Sequence, residues 1–171
     1  MIQIQQYAIW HIHSLIDGNT VILVQKILFL KNVPLFSSMA PGELSQLAGI
    51  AEEVVYATNT PIITQGEHGD AMYLIAEGTI KIHVGDEELA QLTVRDYFGE
   101  MSILDGEPRS ASATAASDCL LLRVKQEDFH YILSQRFDVA LNIIQTLTRR
   151  LRTASASPAQ ENPKDDTETP Q

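Results

Sequence analysis

The chain has 171 residues, 44% hydrophobic and 20% charged, a length and balance that suit one globular core with short extensions. Its formal net charge of -10 argues against a nucleic-acid binder, which needs a basic face to displace counterions from phosphates. Cys119 is the single cysteine, so no internal disulfide forms and no zinc cluster can rest on thiolates. The longest apolar stretch, Val21 to Leu30, is broken by Gln25 and Lys26 and is too short to cross a bilayer.

Residues 1–32 read as a helical extension. Near its start His11 and His13 lie two apart, so they share no helical face, and no third ligand stands close by; no metal is expected there. From Thr20, a residue suited to cap a helix N-terminus, Val21, Val24 and Ile27 or Leu28 recur at helical spacing as far as Lys31. A second helix is expected from Pro41 to about Glu52, with proline in its first turn and Leu44, Leu47 and Ala48 as its apolar stripe.

After Glu53 the texture changes to short strand-like runs: 54–56, 61–64, 71–75, 79–84, 89–92, 112–116 and 119–124. Asn59, Gly66, Gly69-Asp70, Glu77-Gly78 and Gly85-Asp86 punctuate them. Many short strands at regular turns predict a rolled antiparallel sheet. Cys119, beside Leu120, Leu121 and Leu122, reads as a small buried hydrophobe. Helical spacing returns over 126–134 and again from Phe137 to about Ser155. Arg149, Arg150 and Arg152 near the end of the last helix read as cations that offset its dipole, in preference to a small DNA-facing patch. From Ala154 onward there is no aromatic or branched aliphatic residue, and 154–171 is expected to be a disordered polar tail.

The segment Phe98 to Ala111 carries the chemistry. Met101, Ile103 and Leu104 beside Glu100 and Ser102 predict one or two helical turns that open at Gly99, where a missing side chain lets a ligand approach free N–H groups. The turn Asp105-Gly106-Glu107-Pro108 sends the chain back, so that Arg109 reaches the same place. Helix N–H groups and a guanidinium fork together suit a phosphate. A carboxylate beside a phosphate would repel it, so Glu100 must do something else, and accepting a sugar hydroxyl is a good candidate.

Gly99-Glu100-Met101-Ser102 followed by Pro108-Arg109-Ser110-Ala111 resembles the phosphate-binding cassette of cyclic-nucleotide-binding domains. Gln65-Gly66-Glu67, Gly69-Asp70 and Met72 to Gly78 are similar to that family's early turns, and Val33-Pro34-Leu35-Phe36 to its entry helices. The resemblance implies a mainly β fold with flanking α: an antiparallel, jelly-roll-like β-roll over 33–153, with N-terminal helices and a C-terminal lid helix. It implies that Arg109 holds the cyclic phosphate and Glu100 the ribose 2′-hydroxyl. Backbone N–H groups around Met101 and Ala111 would complete the cradle, with Phe98, Gly99, Ser102 and Pro108 shaping it. Ile82 would line the base pocket, and Ser110 would touch the phosphate or a guanine amino group. Leu151 is the first choice for the residue over the base, with Ala154 and Ser155 as further candidates. Two positions depart from the family's glycines: Asn59, which tolerates left-handed angles, and Arg95, whose turn is expected to take a different shape.

These features together predict a non-catalytic, cytoplasmic sensor of cAMP, or less favourably cGMP, with no metal and no DNA partner. Its output would pass to a separate effector protein, or to a second copy through the N- or C-terminal helices. The alternative is an interaction domain that keeps the roll and binds no nucleotide.

Overall fold

A computed structural model describes the backbone of residues 18–156 and the side chains of residues 23–152. The expectations for His11, His13 and the polar tail beyond residue 156 lie outside the described residues. Helix α1 (Gly18–Lys31) leads to a short 3₁₀ turn (Pro34–Phe36) and to helix α2 (Pro41–Ile50). Eight strands follow: β1 (Glu52–Tyr56), β2 (Pro61–Ile63), β3 (Ala71–Glu77), β4 (Ile80–Val84), β5 (Glu87–Leu92), β6 (Tyr97–Phe98), β7 (Ser112–Ala115) and β8 (Cys119–Lys125). Helix α3 (Glu100–Asp105) interrupts them after β6, and α4 (Gln126–Gln135) and α5 (Phe137–Ala156) close the described chain. One expectation shifts. Helix α1 begins at Gly18, so Thr20 lies inside it and does not cap it. The start of α2 carries Pro41 as expected, with the Glu43 carboxylate accepting from the Ala40 N–H at 2.7 Å.

The strands form two antiparallel four-stranded sheets, ordered β1-β8-β3-β6 and β2-β7-β4-β5. Strand β3 explains how the layers stack. Its first six residues are buried, because the first sheet is covered on both faces. Met72 and Leu74 point to one side, where they join Leu122, Val124 and Tyr97 in a core with Leu30, Phe36, Leu44, Leu47, Phe129 and Val139 of the helical layer. Tyr73 and Ile75 alternate to the other side and pack between the sheets with Ile63, Ile80, Phe98, Ala113, Ala115 and Leu121. Cys119 sits in this second core as expected, 3% exposed, with its thiol near the Thr79 and Ser117 carbonyls. The second sheet turns its far face to solvent, and β5 is exposed along nearly all its length.

Among the described residues two non-glycines take positive φ, Asn59 at 66° and Arg95 at 78°. Asn59 behaves as expected. Arg95 does not divert its turn into another shape; it takes the left-handed conformation itself. The Arg95 N–H donates to the Ile75 carbonyl at 3.0 Å, the Asp96 N–H to the Thr93 carbonyl at 2.9 Å, and the Thr93 N–H to the Asp96 carboxylate at 2.9 Å. These bonds hold the conformation against the crowding of its Cβ.

Candidate ligand-binding site

Strand β6 delivers the chain to Gly99, which has φ 80° and opens α3. Here glycine is required twice over. A Cβ at Gly99 would lie 2.7 Å from Arg109 Nη1 and 3.3 Å from the Ala71 carbonyl, in a backbone conformation that L side chains rarely adopt. Gly69 is confined as well, since a Cβ there would meet Ser102 Oγ at 2.3 Å and Arg109 Cζ at 2.4 Å. The N–H groups of the first turn of α3 have no partners within the helix. At the other end of α3, Gln126 Nε2 and the His130 ring N–H donate to the Ile103 carbonyl, tying it to α4.

Arg109 is pinned from its own backbone outward. Its N–H donates to the Glu67 carbonyl at 2.8 Å, and its carbonyl accepts from the Gly66 N–H at 2.9 Å. Its side chain turns inward and is only 7% exposed. Nη1 donates to the Gly99 carbonyl at 2.6 Å and to Ser102 Oγ at 2.8 Å, and Nη2 donates to the Ala71 carbonyl at 2.7 Å. These bonds use three of the five guanidinium donors and leave two. Every acceptor is neutral, and among the described residues no carboxylate lies within ion-pair distance of Arg109. Asp105, in the nearby turn, instead accepts from the Glu107 N–H. Burial lowers the Arg109 pKa, yet a guanidinium stays charged at any physiological pH. The site therefore holds a buried cation with no acid in direct contact, stabilised only at longer range by Asp70, Glu100 and Glu67.

Glu100 is 1% exposed and beside it, but its carboxylate is already engaged. Arg150 of α5 donates from Nη1 to Glu100 Oε1 at 2.6 Å and from Nη2 to the Tyr97 carbonyl at 3.1 Å. The Arg150 guanidinium also lies over the Tyr97 ring, 5.3 Å from its centroid. Burial pushes the Glu100 pKa up, and Arg150 is the foremost influence opposing it. Sequence reasoning misses Arg150, which reads with its neighbours as a dipole-offsetting cation. The chain offers no local signal for a contact fifty residues away.

The other expected residues occupy different parts of the fold. Phe98 stacks on Tyr73 with centroids 5.3 Å apart and forms the floor between the sheets. Ile82 is half-buried at the edge of the same core, opposite Ala113 of β7 and Ala90 of β5. Met101 and Ser110 are exposed at the rim, Met101 Sδ lying 4.0 Å from Ser110 Oγ. Ser102 is buried under Arg109, Pro108 is exposed and Ala111 is half-buried at the mouth. Leu151 is 67% exposed, one residue beyond the arginine that touches the cassette. The side chains of Ala154 and Ser155 are outside the described residues.

Residues 53–136 match the family model described as the cyclic nucleotide-binding domain. The chain carries a cyclic nucleotide-binding domain. The domain is 39% identical over 130 residues to the cyclic AMP receptor protein of Thermus thermophilus, covering 73% of this chain and 60% of that protein. It is 34% identical over 113 residues to the cAMP-dependent protein kinase regulatory subunit of Aspergillus fumigatus, covering 65% of this chain and 27% of that one. The crystal structure of the Thermus thermophilus catabolite activator protein superimposes with a TM-score of 0.64 at 39% identity, over 71% of this chain and 60% of that one. The cyclic nucleotide-binding domain described here thus spans between about a quarter and three fifths of these relatives' length. Among its described residues no helix is long and apolar enough to cross a membrane, and no group of His, Cys, Asp and Glu is placed to hold a metal ion.

Proposed function

We propose that the chain is a non-catalytic sensor whose cassette binds a cyclic nucleotide, cAMP in preference to cGMP. The observation that carries this reading is the buried Arg109 guanidinium, held by three neutral oxygens with no carboxylate in contact and two donors left. A monoanionic cyclic phosphate supplies an anion in direct contact with the two remaining donors, and the first N–H groups of α3 supply further donors. Glu100 accepts the ribose 2′-hydroxyl on the carboxylate oxygen that Arg150 does not take. Ile82 faces the base, and Ser110 at the rim touches the phosphate or the base edge. The preference for cAMP rests on the Arg109-Ser110-Ala111 sequence, which is similar to that of bacterial cAMP activators. The relatives support the ligand class, being named a cyclic AMP receptor and a cAMP-dependent kinase regulatory subunit.

Helix α5 relays occupancy. Its contact with the cassette passes through Arg150 to Glu100, so any ligand that engages Glu100 changes the surroundings of α5. The output passes to a separate effector or to a second copy of the chain, in the cytoplasm.

Isothermal titration with cAMP, cGMP and 5′-AMP tests the reading. One cyclic nucleotide is expected to bind while 5′-AMP, with its extra charge and open phosphate, binds poorly. Arg109→Ala should weaken that binding by about one to two powers of ten, since a charge-assisted bond is worth about 1.5–3 kcal/mol. Absence of heat with all three would instead favour a nucleotide-free interaction domain that keeps the roll.

A further inference from the structure

Arg136 is the one residue between α4 and α5, and its backbone is extended, with φ −133° and ψ 92°. No helical hydrogen-bond ladder runs through such a residue, so two soft dihedrals leave the direction of α5 to be set by side chains. The Arg136 side chain gathers three elements. It bonds Glu43 of α2 through Nη1 and Asp138 of α5 through Nε at 2.8 Å and Nη2 at 2.7 Å, and Nη2 also reaches the Ser38 carbonyl at 3.3 Å. The Ser38 hydroxyl closes the ring by donating to Asp138 Oδ2. One turn on, Asn142 Nδ2 donates to the Leu35 carbonyl at 3.3 Å, and Val139 and Ile143 are buried against the helical layer.

The far half of α5 is different. Ile144, Gln145, Thr148 and Arg149 are exposed, Leu147 rests at the margin of the core, and Arg150 bonds the cassette. Helix α5 is thus fastened at its start and meets the ligand site fourteen residues later, about 21 Å along at 1.5 Å per residue. Over that length a swing of about 10° moves the far end by ~4 Å, enough to part Arg150 from Glu100.

We propose that Arg136 is a positioning residue for the ligand site: its clamp on Glu43, Asp138 and the Ser38 loop sets the pivot from which α5 delivers Arg150 to Glu100. This deepens the proposed function, since it rests on Glu100 as the ribose acceptor, and it names the helical layer formed by α2 and the Ser38 loop as the body against which α5 turns. Exposed ion pairs add little to global stability. The role assigned to this one is geometric, which is why it can be told apart from a merely structural part.

The test is amide hydrogen exchange on the ligand-free full chain, comparing wild type, Arg136→Ala, Arg150→Ala and the double variant. Substitutions about 21 Å apart are expected to act independently when nothing links them. The proposal requires Arg136→Ala to speed exchange over residues 146–152 several-fold, Arg150→Ala to do the same, and the double variant to be no faster than the faster single one. Acceleration confined to residues 136–142, or additive effects in the double variant, overturns it. Glu43→Gln, which cuts the α2 arm alone, should reproduce the change in weaker form and serves if Arg136→Ala does not fold. A second readout is the ratio of affinities for cAMP and 2′-deoxy-cAMP. Loss of positioning shrinks that ratio, whereas general loosening weakens both ligands alike. If the wild type binds neither nucleotide, the proposed function fails while the exchange measurement still judges the clamp.

Discussion

At Arg95 the backbone holds φ at 78°, where the Cβ of an L residue crowds its own peptide neighbours. Such a conformation costs of order 1–3 kcal/mol, and here the turn bonds to Ile75 and Thr93 impose it. Arg95→Gly relieves that crowding and gives back part of the gain through a more flexible unfolded chain. The net expectation is stabilisation by about 1 kcal/mol, or roughly 2–4 °C in Tm, with nucleotide affinity unchanged because the turn lies outside the cassette. Thermal denaturation of the two proteins checks it, and a lower Tm in the variant would refute the strain. At this same scale the sequence was legible where chemistry is local. Arg109 and Glu100 announce themselves through their spacing from Gly99 and Pro108. Arg150 does not, because an arginine near a helix end reads first as a cation offsetting the dipole, and nothing local marks its partner fifty residues away.

Among the elements, α3 and α5 share one titratable link whose sign can be worked out. Glu100 is the buried acid at the start of α3, and its pKa is raised above the usual 4.5 by burial, Arg150 notwithstanding. The folded chain therefore binds this proton more tightly than the unfolded chain does. The resulting stability is present below the unfolded pKa and is lost as pH rises through the folded one. Glu43, Glu52 and Asp118 are shifted the other way by their partners, as is Asp138, so their contribution is lost only as pH falls through the lower carboxylate range. The two windows separate. As pH rises above about 4.5, the Tm of ligand-free wild type should fall relative to that of Glu100→Gln, which carries no charge at this position. Parallel profiles for the two proteins would mean that the carboxylate is not strained by burial. On the proposed role of Glu100, ligand binding runs opposite in sign, because a ribose hydroxyl prefers an ionised acceptor, so wild-type affinity should weaken as pH falls through the raised pKa. Most elements were visible in the sequence, because turn residues bracket the strands and β3 is a short continuous apolar run between two of them. Strand β6 was not, since two residues, Tyr97 and Phe98, carry no period.

For the whole molecule, the question is what covers the outer face of α5. One side of that helix, through Val139 and Ile143, belongs to the core. The other side exposes Phe137, Leu141, Ile144 and Leu151, with Thr148 completing successive steps of four, three, four and three residues. A seam repeating every 3.5 residues is answered by a helix with the same repeat, and the helix at hand with that repeat is α5 of a second copy. This supports the self-association reading over a separate effector. Net repulsion from a charge of -10 opposes pairing, but the seam itself is uncharged, so salt should strengthen association by screening. Sedimentation velocity over a range of concentrations should show a monomer–dimer equilibrium that shifts toward dimer in higher salt. Leu141→Lys with Ile144→Lys should leave a folded monomer, because both residues are exposed in the single chain. A wild type that stays monomeric at every concentration would assign the seam to a different protein. A dimer that survives both lysines would move the interface to another surface, with α1 next in order because it exposes Val24 and Leu28.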